Sequence, residues 1–175
     1  INTSIESYRT NFNKYFKNLL KSYLTKNELS KAMIYGTLNG GKRIRPFLIR
    51  TFSEIVNIPK KSYYQLSAAV ECIHSYSLIH DDLPCMDDDD YRRGKLSVHK
   101  KFNEAQAILA GDSLHGIAFE ILSNNQVHKD ANIRIKLVKL LSEAVGVKGL
   151  AGGQFLDLSF ENKKINKSKI LEMYN

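Results

Sequence analysis

The sequence predicts an all-α protein, and three observations carry that prediction. Apolar residues recur at three- and four-residue spacing in segment after segment. No stretch alternates apolar with polar residues in the period of a strand. Only Pro46, Pro59 and Pro84 interrupt the 175 residues, so long helices are permitted almost throughout. The length suits one domain with a sizeable core. A composition of 43% apolar and 25% charged residues belongs to a soluble globular chain rather than a disordered or fibrous one.

The first helix follows Ile5, Tyr8, Phe12, Tyr15, Phe16, Leu19, Leu20 and Tyr23, with Thr3 and Glu6 as a capping-box pair. Thr25 with Glu28 repeats that pattern and opens a short helix through Met33 and Tyr35, which Asn39-Gly40-Gly41 breaks. A third helix starts near Lys42 or Arg43. Pro46 falls in its first turn, where a missing N–H costs least, and Pro59 closes it. Tyr63 to Asp82 is apolar on nearly all sides and so belongs at the centre of a bundle, ending at Leu83-Pro84. Residues 84–101 read as a charged connection, Phe102 to Leu122 as a largely uncharged helix and Ser123 to Asn132 as a polar loop. Ile133, Leu137, Leu140, Leu141 and Ala144 mark the next helix. Gly149 to Leu158 is rich in small residues, Glu161 to Lys169 is a solvated loop, and a last helix begins near Ser168. There is no internal repeat and no linker.

Composition excludes several classes. Two cysteines, Cys72 and Cys85, do not make a disulfide framework, and neither sits in a zinc-type pair; a reducing, cytoplasmic compartment fits. The first 24 residues are charged throughout and do not resemble a signal peptide. The least charged window, Ser62 to His80, contains Glu71, Gln65 and two histidines, which suits a buried helix and not a membrane span. The formal charge of +8 suggests an anionic partner. A nucleic acid is not expected: the cations are not striped along one helix, nor interleaved with aromatic residues.

The distribution of charge is more informative than its sum. Six of the 18 acidic residues fall between Asp81 and Asp90, within HDDLPCMDDDDYRRG (His80 to Gly94). Carboxylates this crowded repel one another, and some should have raised pKa values. Hard oxygen ligands so clustered suit Mg²⁺, or Mn²⁺. An EF-hand does not fit, because its required glycine and final glutamate would be Arg92 and Val98. Asp87 lies six residues beyond Asp81, about 240° round a continuing helix, so Pro84 must end the helix for a loop to bring Asp87 back. The plainer reading of the same run is a solvated acidic loop. Gly40 to Pro46, GGKRIRP, places Lys42, Arg43 and Arg45 at a helix N-terminus, whose free N–H groups favour phosphate. His74 falls seven residues before Asp81, on the same face of the central helix. A zinc site from Cys72, His74, His80 and Cys85 has no matching spacing.

Together, GGKRIRP, ECIHSYSLIHDDLPCMDDDDYRRG, FNEAQAILAGDSL and GGQFLDL resemble, in that order, the trans-type (all-E) isoprenyl diphosphate synthases, and most closely the bacterial farnesyl diphosphate synthases. The resemblance implies an all-helical isoprenoid-synthase bundle around a deep cavity. It also implies a homodimer and head-to-tail joining of an allylic diphosphate to isopentenyl diphosphate. By position it assigns Lys42, Arg45, His74 and Arg93 to isopentenyl diphosphate and Arg92 to the allylic diphosphate. Asp81 and Asp87 become Mg²⁺ ligands, with Asp82 a ligand or close support. Tyr76, five residues before Asp81 and about 7.5 Å along the axis, becomes the residue that limits product length to C15, although plain helix geometry puts Ser77 more directly beneath Asp81. Geranyl and geranylgeranyl diphosphate synthases, or a non-catalytic partner subunit, are the neighbouring readings. No second aspartate-rich motif follows Asp90, so residues 1–175 read as the N-terminal part of a single polyprenyl synthetase domain, inactive in isolation.

Overall fold

The structure, a computed structural model, describes residues 2–161, 163, 164 and 166–174; of residues 2–4 and 172–174 it describes the backbone only. Its helices are α1 (Asn2–Lys21), α2 (Glu28–Leu38), α3 (Ile44–Ile55), α4 (Lys60–Asp81), α5 (Val98–Lys101), α6 (Glu104–Ser123), α7 (Ala131–Val145), α8 (Leu150–Phe160) and α9 (Lys167–Tyr174). The all-α expectation holds, with one local exception. The connection after α4 contains a hairpin of β1 (Tyr91–Arg92) and β2 (Lys95–Leu96), paired antiparallel with Tyr91 opposite Leu96. Arg93 and Gly94 both have positive φ, 56° and 75°, as a two-residue hairpin turn requires. The signal was the Arg-Gly dipeptide; two-residue strands are too short to show alternation.

Helix α4 is central, packed chiefly against α6 and then α3. Close approach of α4 and α6 follows from small side chains: Ser67, Ala68, Ala69 and Cys72 on one helix and Ala107, Ala110, Gly111 and Ala118 on the other are buried. Phe12, Phe16 and Leu20 of α1 are fully buried, and Phe12 stacks on Phe16 with centroids 5.6 Å apart. Cys72 is buried, Cys85 is exposed, and both are free thiols. Burial pushes the Cys72 thiol well above its usual range.

The caps differ from the expected ones. α1 already includes Thr3, and α2 is capped by Asn27, whose side chain accepts from Ser30 N–H. Thr25 instead donates its backbone N–H to Ser30 Oγ. On α7 the half-buried face is Leu137, Val138, Leu141 and Val145, while the expected Ile133, Leu140 and Ala144 are exposed.

Candidate active site

The C-terminal end of α4 and the loop before α3 form the two halves of the site. Asp81 is the last residue of α4, and Asp82 is its cap. The chain then turns at Pro84, and Asp87 donates its backbone N–H to Asp81 C=O at 2.9 Å. The loop therefore brings Asp87 back to Asp81, as the proline position predicted. Burial, and then the charge of Asp87, push the Asp81 carboxyl up to about 6; Arg92 pulls it the other way. Burial strips the Asp81 carboxylate of water, and the Asp87 charge beside it adds to the cost of ionising it. Two hard oxygen donors so placed fit a hard dication such as Mg²⁺.

Asp82 behaves differently. Its side chain is 2% exposed and accepts from Arg92 Nε at 2.7 Å and from Arg92 Nη2, both at Oδ1. Burial raises the Asp82 pKa, and the bonds from Arg92 lower it. Arg92 also reaches Asp89 at 3.1 Å. Asp82 Oδ1 is thus engaged by Arg92, while the Asp82 charge still adds to the upward shift of Asp81. The Arg92 guanidinium, assigned by resemblance to an allylic diphosphate, is here tied to two carboxylates.

The basic half is a cavity of about 630 Å³ lined by the Gly40-to-Arg45 segment together with Glu71, His74, Arg93, Asn39, Arg9 and Lys95. Gly40 and Gly41 have φ of 94° and 104°, a region that side chains avoid. A Cβ at Gly41 would stand 2.7 Å from Arg93 Nη1, which itself donates to Gly40 C=O at 2.8 Å. The glycines therefore bend the loop and leave room for Arg93 to lie against it. Arg43, grouped by sequence with Lys42 and Arg45, has another task. It is 4% exposed and bonds Glu71 Oε2 at 2.5 Å, Asn13 Oδ1 at 2.8 Å and Thr37 C=O at 2.6 Å, which ties the loop to α4, α1 and α2. Its charge is spent inside the fold.

His74 looks into this cavity from α4. Burial lowers its pKa to about 4, and the guanidinium charges of Arg45 and Arg93 add to that. The ring is neutral near pH 7, so Nε2 accepts from Arg45 Nη1 at 3.3 Å. Lys42, Arg45, His74 and Arg93 line one cavity. Arg9 and Lys95 were not found by sequence, because lone cations in a lysine-rich chain carry no distinguishing pattern.

Tyr76 lies between α4 and α6. It packs edge-on against His80 at 5.0 Å and His115 at 5.1 Å, and His115 packs in turn against Phe119 at 5.1 Å. Tyr76, His115 and Phe119 form an aromatic column. Burial raises the Tyr76 pKa, and the charges of Asp81 and Asp112 raise it further, which places the column's upper end beside the carboxylates. His115 and Phe119 were legible as an i, i+4 pair on α6.

A short all-helical bundle with a carboxylate pair and a cation-lined cavity along one central helix is the class that fold and site define. Residues 26–175 match the sequence model of the polyprenyl synthetase family. The chain belongs to that family. It is 51% identical over 145 residues to a farnesyl diphosphate synthase of Buchnera aphidicola subsp. Schizaphis graminum, covering 81% of this chain and 49% of that protein. Among solved structures, a geranyltransferase from Legionella pneumophila superposes with TM-score 0.94 at 35% identity, covering 99% of this chain and 62% of that one. An FPP/GFPP synthase from Zymomonas mobilis superposes with TM-score 0.91 at 38% identity, covering 99% and 65%. The chain spans about half the length of the curated relatives it matches.

Proposed function

We propose that the whole protein is a Mg²⁺-dependent prenyltransferase. It would join isopentenyl diphosphate head-to-tail to dimethylallyl or geranyl diphosphate, with farnesyl diphosphate as product. The observation that carries this reading is the placement of His74 and Asp81 on one helix, so that a cation-lined cavity and a crowded carboxylate pair sit along a single axis. The family match and the relatives named for this reaction support it.

Lys42, Arg45 and Arg93 hold the diphosphate of isopentenyl diphosphate by charge-assisted hydrogen bonds, and neutral His74 adds a polar contact without repelling its guanidinium neighbours. Asp81 and Asp87 hold the metal. Mg²⁺ there would supply positive charge to the departing diphosphate of the allylic substrate. Asp82 orients Arg92, which turns from Asp89 to the allylic diphosphate once that ligand is present. The apolar walls of α4 and α6 exclude water from the carbon chains. Tyr76, backed by His115 and Phe119, closes the cavity below the carboxylates and limits chain growth. Assembly as a homodimer and a cytoplasmic location belong to the same proposal; among the described residues no helix is long and apolar enough to cross a membrane.

Calorimetric titration tests the binding roles. Isopentenyl diphosphate should bind without metal, and Lys42→Ala or Arg45→Ala should weaken it by about tenfold each. Geranyl diphosphate should bind only with Mg²⁺, and Asp81→Asn should abolish that Mg²⁺-dependent binding. Isopentenyl diphosphate affinity indifferent to both cation substitutions would overturn the assignment. For the whole protein, chromatography of labelled product separates farnesyl from geranyl and geranylgeranyl chains.

A further inference from the structure

We infer that Asp88, Asp90 and His99 form a second cation site, separate from the Asp81–Asp87 pair, for a dication of the Mn²⁺-to-Zn²⁺ series. One ring nitrogen of His99 and one carboxylate oxygen from each aspartate lie within 4.8 Å of one another. Ligand atoms around a single such ion stand roughly 3–4 Å apart, so small side-chain movements close the triad. Two exposed aspartates alone would be a solvated acidic turn. His99 is what distinguishes this cluster. It is 6% exposed, and its Nε2 has no hydrogen-bond partner among the described residues.

The tautomer follows from the neighbours. Ser97 Oγ lies 3.2 Å from Asp90 C=O and 3.2 Å from His99 Nδ1. With its proton on the carbonyl, Ser97 accepts from Nδ1–H, and Nε2 is then a buried lone pair without a partner among the described residues. A bound dication satisfies such a nitrogen, and Ser97 is then the outer partner that orients the imidazole. One imidazole with two carboxylates suits Mn²⁺, Co²⁺ or Zn²⁺ better than Mg²⁺, which prefers oxygen throughout. Lys100 reaches Asp90 Oδ1 at 2.8 Å and occupies one oxygen. The second oxygen of Asp90 and both of Asp88 keep a net negative charge for the ion. Such an ion would clasp α5 to the loop that carries Asp87. The inference is independent of the proposed reaction.

Cobalt absorption and calorimetry on the 175-residue chain, with excess Mg²⁺ to fill oxygen-only sites, test it. One Co²⁺ should bind with visible absorption bands. His99→Gln should weaken that binding by at least about tenfold, and Asp88→Asn with Asp90→Asn should do the same. The aspartate pair is exposed, so that variant serves if His99→Gln does not fold. Asp81→Asn with Asp87→Asn should leave Co²⁺ affinity unchanged. The site is refuted if Co²⁺ does not bind, if Mg²⁺ displaces it, or if binding survives loss of His99 or of both aspartates.

Discussion

At the scale of single residues, burial and neighbouring charge divide chemically identical groups into different roles. Asp81 and Asp82 are adjacent in sequence. Burial and the Asp87 charge push Asp81 up to about 6, while Asp82, also raised by burial, is pulled back by its bonds from Arg92. Replacing Asp87 with Asn removes the second cause of the Asp81 shift. Carbon-13 titration of the metal-free protein should then find the Asp81 carboxyl below 6, though still above its ordinary value because burial remains. His74 shifts in the opposite direction. Its folded pKa, about 4, lies below the ordinary value of about 6.5, so the unfolded chain binds more protons between those values. Its contribution to stability is therefore complete above pH 6.5 and is lost as pH falls through 4. Denaturation followed from pH 7 to 4 should show His74→Gln losing less stability than the parent chain. Arg9 lines the cation-lined cavity from α1, outside the residues matched by the family model. Arg9→Gln should weaken isopentenyl diphosphate binding several-fold without changing the melting temperature, because its side chain is 42% exposed.

At the scale of elements, the loop between α2 and α3 is held by one buried cation. Arg43 and Glu71 are each 2% exposed at the side chain. Removing one partner of such a pair leaves the other charged and unpaired, so Glu71→Gln should cost about 3–5 kcal/mol in urea unfolding at pH 7. Charge clustering alone placed Arg43 beside Lys42 and Arg45, and only the resemblance left it out of the diphosphate set. Its buried role was not legible, because the partner lies 28 residues away on another helix. The hairpin was missed for a similar reason: two residues per strand leave no period to read, whereas the 20-residue helices announced themselves. The column of Tyr76, His115 and Phe119 joins α4 to α6 below the carboxylates. Tyr76→Ala in the whole protein should open that floor and shift labelled product toward chains longer than C15; an unchanged product distribution would assign Tyr76 to packing alone.

At the scale of the whole molecule, charge segregation dominates. A chain of net charge +8 concentrates acid at one end of α4 and base around the cavity beside it. Lys42 and Arg45 are exposed, so isopentenyl diphosphate affinity should fall steadily as ionic strength rises. The helical class, the central position of Tyr63 to Asp82, the return of Asp87 and the shared face of His74 and Asp81 were all determined by the sequence alone. Each depends on spacing within one segment, and helix geometry converts spacing directly into direction. Tertiary structure alone decided which charges remain available. Arg43 is consumed by Glu71, Asp82 by Arg92, and Asp90 in part by Lys100, while Arg9 and His99 gain their surroundings from distant segments. Those outcomes depend on desolvation and on partners brought together by packing, and neither is carried by the order of residues within any one stretch of chain.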